Sequence, residues 1–191
     1  MSETRTNSEI DGFVVELEKV GRDAMEVFGG LSAAQLNWKP SAEQWSVGQC
    51  FDHLIKANRS FFPDMERVAS GKHRSSTWAR VSPLSGFFGR FILNAVDPVK
   101  GRKIKAPRAF LPASSDVDAD VIERFVGNLS EVSARMRATE GVDLRRTVIT
   151  SPAMALVTYS LRDVYRIFVA HARSHFEQAR RVTQAAGFPA A

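Results

Sequence analysis

Among its 191 residues the chain has a single cysteine, Cys50. An internal disulfide is therefore impossible, and so is a zinc site built on several thiolates. A lone cysteine suits a reducing compartment. Long apolar runs are also missing. None approaches the roughly 18–20 residues that span a bilayer, so no membrane partner is expected. The opening residues Met1-Ser2-Glu3-Thr4-Arg5-Thr6-Asn7 are polar and lead into an amphipathic pattern. Without the apolar segment of a signal peptide, the expected compartment is the cytoplasm. The chain has four histidines, and any one of them alone reads as a surface or satisfied-core residue.

What is present describes an ordinary globular protein. Hydrophobic residues make up 44% and charged residues 25%, which excludes a disordered or fibrous chain. The length suits one domain over residues 1–191 with a sizeable core. Basic residues outnumber acidic ones 26 to 21, and part of the excess is local: Lys100, Arg102, Lys103, Lys105 and Arg108 fall within nine residues. Such a run is one signature of nucleic-acid binding. No aromatic residue interrupts it before Phe110, and no nucleic-acid-binding motif surrounds it. A solvated loop is the favoured reading, and no nucleic-acid partner is expected.

Hydrophobic periodicity predicts four long helices. Ile10, Phe13, Val14, Leu17, Val20, Ala24, Val27 and Phe28 recur three and four apart between about residues 7 and 30, and Gly29-Gly30 ends the pattern. Ser32 with Gln35 reads as a capping box for a short turn that Pro40 terminates. Ser46 with Gln49 repeats that signature at the start of a second helix, expected to run to Ser70-Gly71 with a kink or loosened turns at Pro63. A third is expected from Asp118 to Thr139. A fourth starts at Ser160, with Asp163 three residues on, and runs to about Ala186. Residues 72–117 carry four prolines and the basic run. They read as a long crossover with one short helix over Leu84–Val96. The expected class is all-α, a four-helix bundle. The stretch Thr147–Thr150 is strand-like but too short to change it.

The last helix contains His171-Ala172-Arg173-Ser174-His175. Four residues make slightly more than one turn, so both imidazoles share a face. The series Leu161, Val164, Phe168, His171, His175, Gln178, Val182 alternates by three and four, as core-facing positions do. The two histidines and Gln178 thus stand where Leu or Val is expected, and unpartnered burial costs about 1–3 kcal/mol each. A satisfied core or surface role is open to any single histidine; a shared metal ion accounts for the pair. His53 lies at the inner edge of the Cys50–Leu54–Ala57 stripe and supplies a third nitrogen. Three protein ligands leave coordination positions for water or substrate, as in a catalytic rather than a structural site. Gln178 is the expected partner of a metal-bound water or cofactor, with Asn58 and Tyr165 as further polar candidates near the interior. Asp52 points about 100° away from His53 around the helix. Cys50 reads as a small buried apolar residue, and His73 as a polar-loop residue.

Leu36-Asn37-Trp38-Lys39-Pro40, Trp45-Ser46-Val47-Gly48-Gln49, Asp52-His53-Leu54, Lys105-Ala106-Pro107, Ser151-Pro152 and Tyr159-Ser160-Leu161 precede His171-x-x-x-His175-x-x-Gln178. In this order, over most of the chain, the sequence resembles the DinB/YfiT-like superfamily. The resemblance implies a four-helix bundle of up-down-down-up connectivity with its crossover at residues 72–117. It also implies a three-histidine metal site, here His53, His171 and His175. It leaves the reaction open between metal-dependent hydrolysis and transfer or isomerisation using a low-molecular-weight thiol.

The expected cofactor is accordingly one divalent ion, zinc or nickel first among those that suit imidazole. It would activate a water or such a thiol against a small-molecule substrate. The alternative is a non-catalytic metal- or small-ligand-binding module, since no carboxylate accompanies the histidines. Phe87, Phe88 and Phe91 in the crossover suggest a homodimer.

Overall fold

The computed structural model describes residues 2–73, 111–112, 116–152, 154 and 156–190. The expected helix over Leu84–Val96, the basic run from Lys100 to Arg108 and Phe87, Phe88 and Phe91 lie outside these residues. The described chain is mostly helical: α1 (Ser2–Phe28), α2 (Ala33–Asn37), α3 (Val47–Arg59), α4 (Phe62–Ala69), α5 (Val121–Arg137) and α6 (Leu161–Thr183). One small antiparallel sheet precedes α6. It pairs β1 (Val148–Thr150) with β2 (Thr158–Ser160) in the register Val148↔Ser160, Ile149↔Tyr159 and Thr150↔Thr158.

Local chemistry fixes the helix starts. Ser32 and Ser46 both form complete capping boxes: each hydroxyl accepts from the amide three residues on, and the Gln35 and Gln49 side chains accept from the serine amides in return. Ser160 accepts from the Asp163 amide at 3.1 Å and donates to the Asp163 carboxylate at 2.8 Å. Because Ser160 is also the last residue of β2, strand and helix meet without a loop. Ser46 is fully buried, so its cap bonds are sheltered from water. Ser46→Ala is expected to lower stability by about 1–2 kcal/mol, read as a shifted urea midpoint with an unchanged slope.

The helix expected to continue to Ser70 is two helices. Pro63 has no amide hydrogen, and its ring clashes with the carbonyl four residues back, that of Arg59. That is the last residue of α3. The chain turns through Ser60 and Phe61, with the Phe61 amide bonding to the Asn58 carbonyl at 3.1 Å, and Pro63 then opens α4. At the other ends, Gly71 and Gly141 take φ of +67° and +83°, a left-handed conformation that glycine adopts without a side-chain clash.

α1 and α3 each pack against both α5 and α6, while α2 lies on α3 and α4 on α5. The buried side chains form one continuous cluster. Phe51 of α3 is fully buried, its ring 5.3 Å from Phe28 and 4.9 Å from Phe125 between centroids. Two details hold the start of α3, which matters for the site. The Asn37 side chain donates to the Val117 carbonyl at 2.9 Å and accepts the Val117 amide at 2.7 Å, clamping the segment before α5 onto the end of α2. A Cβ at Gly48 would stand 3.1 Å from both the Leu36 carbonyl oxygen and Val117 Cβ; the missing side chain is what lets these segments close on the first turn of α3. Between α1 and α6, Arg162 pairs with Glu9, and Arg173 with Glu16 at 3.0 Å. Among the described residues, no helix is long and apolar enough to cross a membrane.

Candidate metal centre

His53 projects from the middle of α3, and His171 and His175 from successive turns of α6. The packing of α3 on α6 brings the three together, each offering a ligand nitrogen within 4.8 Å of the others. His53 and His171 are 118 residues apart in the chain, yet their Nε2 atoms are 3.1 Å apart. The ring centroids lie 5.0 Å (His53–His171), 4.7 Å (His53–His175) and 4.7 Å (His171–His175) from one another, all at steep angles. His53 is buried, and the other two are half-buried.

This environment opposes positive charge. Burial first, then the neighbouring His175 and His53, holds His171 well below the ordinary histidine range. His175 is lowered to about 3, again by burial first and then by His53, with Arg181 adding to the effect. The Gln178 side chain opposes that shift as a hydrogen-bonding neighbour of the ring. Neutral imidazoles keep a free lone pair, which is the form that binds a cation.

The residues fit a metal ion on three counts. His175 Nδ1 is enclosed and makes no hydrogen bond, a vacant valence of the kind buried polar atoms rarely keep. Zinc–nitrogen bonds of about 2.0–2.1 Å place adjacent corners of a tetrahedron about 3.3–3.4 Å apart, close to the 3.1 Å between His53 and His171. The donor set is all imidazole, and among the described residues no carboxylate or thiolate joins it.

The other candidates separate clearly. Cys50 is fully buried, and desolvation pushes its thiol up to about 12 against the opposing charge of Arg181. Asp52 pairs with Lys56 at 3.0 Å on its own helix. Asn58 and Tyr165 do reach the interior, but to other partners: Asn58 donates to Asn128 at 2.9 Å, and the Tyr165 and Thr139 hydroxyls are 2.7 Å apart. His73 bonds to the Val148 carbonyl at 2.9 Å. A groove of about 390 Å³ between α1 and α5, lined by Leu17, Gly21, Met25, Val126 and Leu129 among others, contains none of the histidines.

One residue at the site had no role in the sequence reading. The Trp45 ring is stacked on His175, with centroids 5.6 Å apart and planes 17° from parallel, and lies tilted against His53 at 4.9 Å. Its position just before the Ser46 cap is where an apolar residue ordinarily packs on the first turns of its own helix. The capping box was therefore a local signal that an aromatic ring belongs near the start of α3, but not that it reaches α6.

The family model described as the DinB superfamily matches residues 16–179, a span that holds all three histidines and Gln178. No curated protein and no solved structure matches the chain.

Proposed function

We propose that this chain, which belongs to the DinB superfamily, holds one divalent ion on His53, His171 and His175 and acts with it on a small-molecule substrate. The reaction is hydrolysis or transfer to a low-molecular-weight thiol. The observation that carries this reading is the convergence of three imidazole nitrogens from two helices, in surroundings that keep His171 and His175 neutral. When bound, such an ion supplies Lewis acidity that brings the pKa of a coordinated water or thiol toward neutrality.

The chain's own residues define the rest. Three imidazoles suit zinc or nickel and leave further coordination positions for a substrate. The Gln178 amide, beside His175, both donates and accepts, so it can orient a polar group brought to the open side. Cys50 is too buried and too weakly acidic to act as nucleophile, so a thiol in the reaction has to come from outside the chain. We read α1, α3, α5 and α6 as the four members of a bundle in up-down-down-up order. The packing of α1 and α3 against both α5 and α6 supports the set of four, and the up-down-down-up order is what the family resemblance implies.

Elemental mass spectrometry of untagged protein is expected to find about one zinc or nickel ion per chain. With the free ion about 100-fold above its Kd, binding adds roughly 2.7 kcal/mol to stability, so chelation should lower the melting temperature by several degrees. Ester hydrolysis and thiol conjugation should then be screened with the loaded protein. Metal with turnover of neither class would favour a ligand-binding module. Failure to take up zinc, nickel or manganese would overturn the metal reading.

A further inference from the structure

We infer that Trp45 is a positioning residue of the histidine centre, whose indole face favours the ion-bound form of His175 and His53 over the ion-free form. The inference rests on the metal reading above and adds to it a residue that is not a ligand.

A single half-buried indole touches ligand rings from two different helices, His53 of α3 and His175 of α6. The start of α3, which it directly precedes, is held from several sides. The Ser46–Gln49 capping box follows Trp45 directly, Gly48 admits Leu36 and Val117 against the first turn of α3, and Asn37 clamps Val117. The ring thus stands beside a well-held helix start as a wall against which both imidazoles lie, and fixing ligand orientation is a general way to raise metal affinity. The stack with His175 is nearly parallel, at a centroid distance within the range of offset aromatic pairs. An imidazole that gives its lone pair to a cation becomes electron-poor, and the indole face is the most electron-rich of the protein side chains. The contact thus strengthens when the ion binds. A side chain that merely fills the same space lacks this coupling.

Phenylalanine retains an aromatic face at position 45, whereas leucine retains only bulk. Cobalt(II) serves as the probe because its visible absorption reports both binding and ligand geometry. In chelator competition, Trp45→Phe is expected to bind cobalt nearly as tightly as the unaltered protein, and Trp45→Leu about tenfold more weakly. The ion-free melting temperatures of the two variants should agree. In a background carrying both Trp38→Phe and Trp78→Phe, which leaves Trp45 as the one tryptophan of the chain, cobalt should also quench the fluorescence of Trp45. Equal affinity of the Leu and Phe variants at equal ion-free stability would overturn the inference and leave the metal centre standing. Absence of cobalt and zinc binding in the unaltered protein would overturn both, and is distinguishable because it appears before any substitution. Should the Leu variant fail to fold, Trp45→Met takes its place in the same comparison, with the same two readings.

Discussion

His171→Ala is expected to leave the purified protein without its metal ion, while the protein stays folded. His171 is the ligand whose Nε2 stands 3.1 Å from that of His53, so its loss breaks the link between the donors of α3 and α6. Altering residues that only orient a metal ligand costs about 10–100-fold in affinity. Removing a direct ligand from a three-ligand site should cost at least about a hundredfold, enough to empty it during purification. Stability of the ion-free protein should fall by no more than about 1–3 kcal/mol, the cost of taking the His171 partner away from the buried His53 Nε2. The substitution otherwise removes a half-buried polar ring whose charged form is already disfavoured by its surroundings. Elemental mass spectrometry gives the stoichiometry, and thermal unfolding with chelator present gives the stability of the ion-free form. His53→Ala and His175→Ala should behave alike. Metal retained at the original stoichiometry in all three variants would place the ion elsewhere.

The opposite pattern is expected two residues before His53. Phe51 is fully buried, with Phe28 of α1 on one side and Phe125 of α5 on the other. Phe51→Ala removes a large apolar side chain from a place where three long helices meet and leaves a cavity that rigid neighbours cannot close. The expected loss is about 3–5 kcal/mol, or roughly 6–20 °C in melting temperature for a chain of this size. Urea unfolding followed by circular dichroism measures it. Metal affinity at a temperature where the variant is still folded should stay close to that of the unaltered protein, because Phe51 touches none of the three histidines through its ring. A loss below about 1 kcal/mol would mean that the core repacks around the vacancy. Together the two substitutions separate what holds the fold from what makes the site.

Much of this was legible in the sequence because it is local. The Ser32–Gln35, Ser46–Gln49 and Ser160–Asp163 signatures act within one helical turn, through hydrogen bonds between residues three apart, and each stands where expected. The histidine pair one turn apart on α6 is equally local, since helix geometry alone puts both rings on one face. Even the buried character of Cys50 followed from its place on an apolar stripe.

One correction is local too: periodicity across Pro63 suggested one kinked helix, whereas the proline's clash with the Arg59 carbonyl ends α3 and α4 starts anew. Tertiary packing decided the rest. Asn58 is as interior as expected, but it faces Asn128 of α5 rather than the metal centre, because five residues of helix turn it about 140° from His53. Trp45 was part of a recognisable motif without a role, since what gives it one is a ring on a helix more than a hundred residues later. The sequence by itself determined the capped starts of α2, α3 and α6 and the shared face on which His171 and His175 lie. Only the packing of α3 on α6 determined that His53 meets His171 and His175 and that Trp45 lies against two of the three. Capping and periodicity are written in residues one or two turns apart, whereas the distance between side chains on separate helices depends on how the whole core closes.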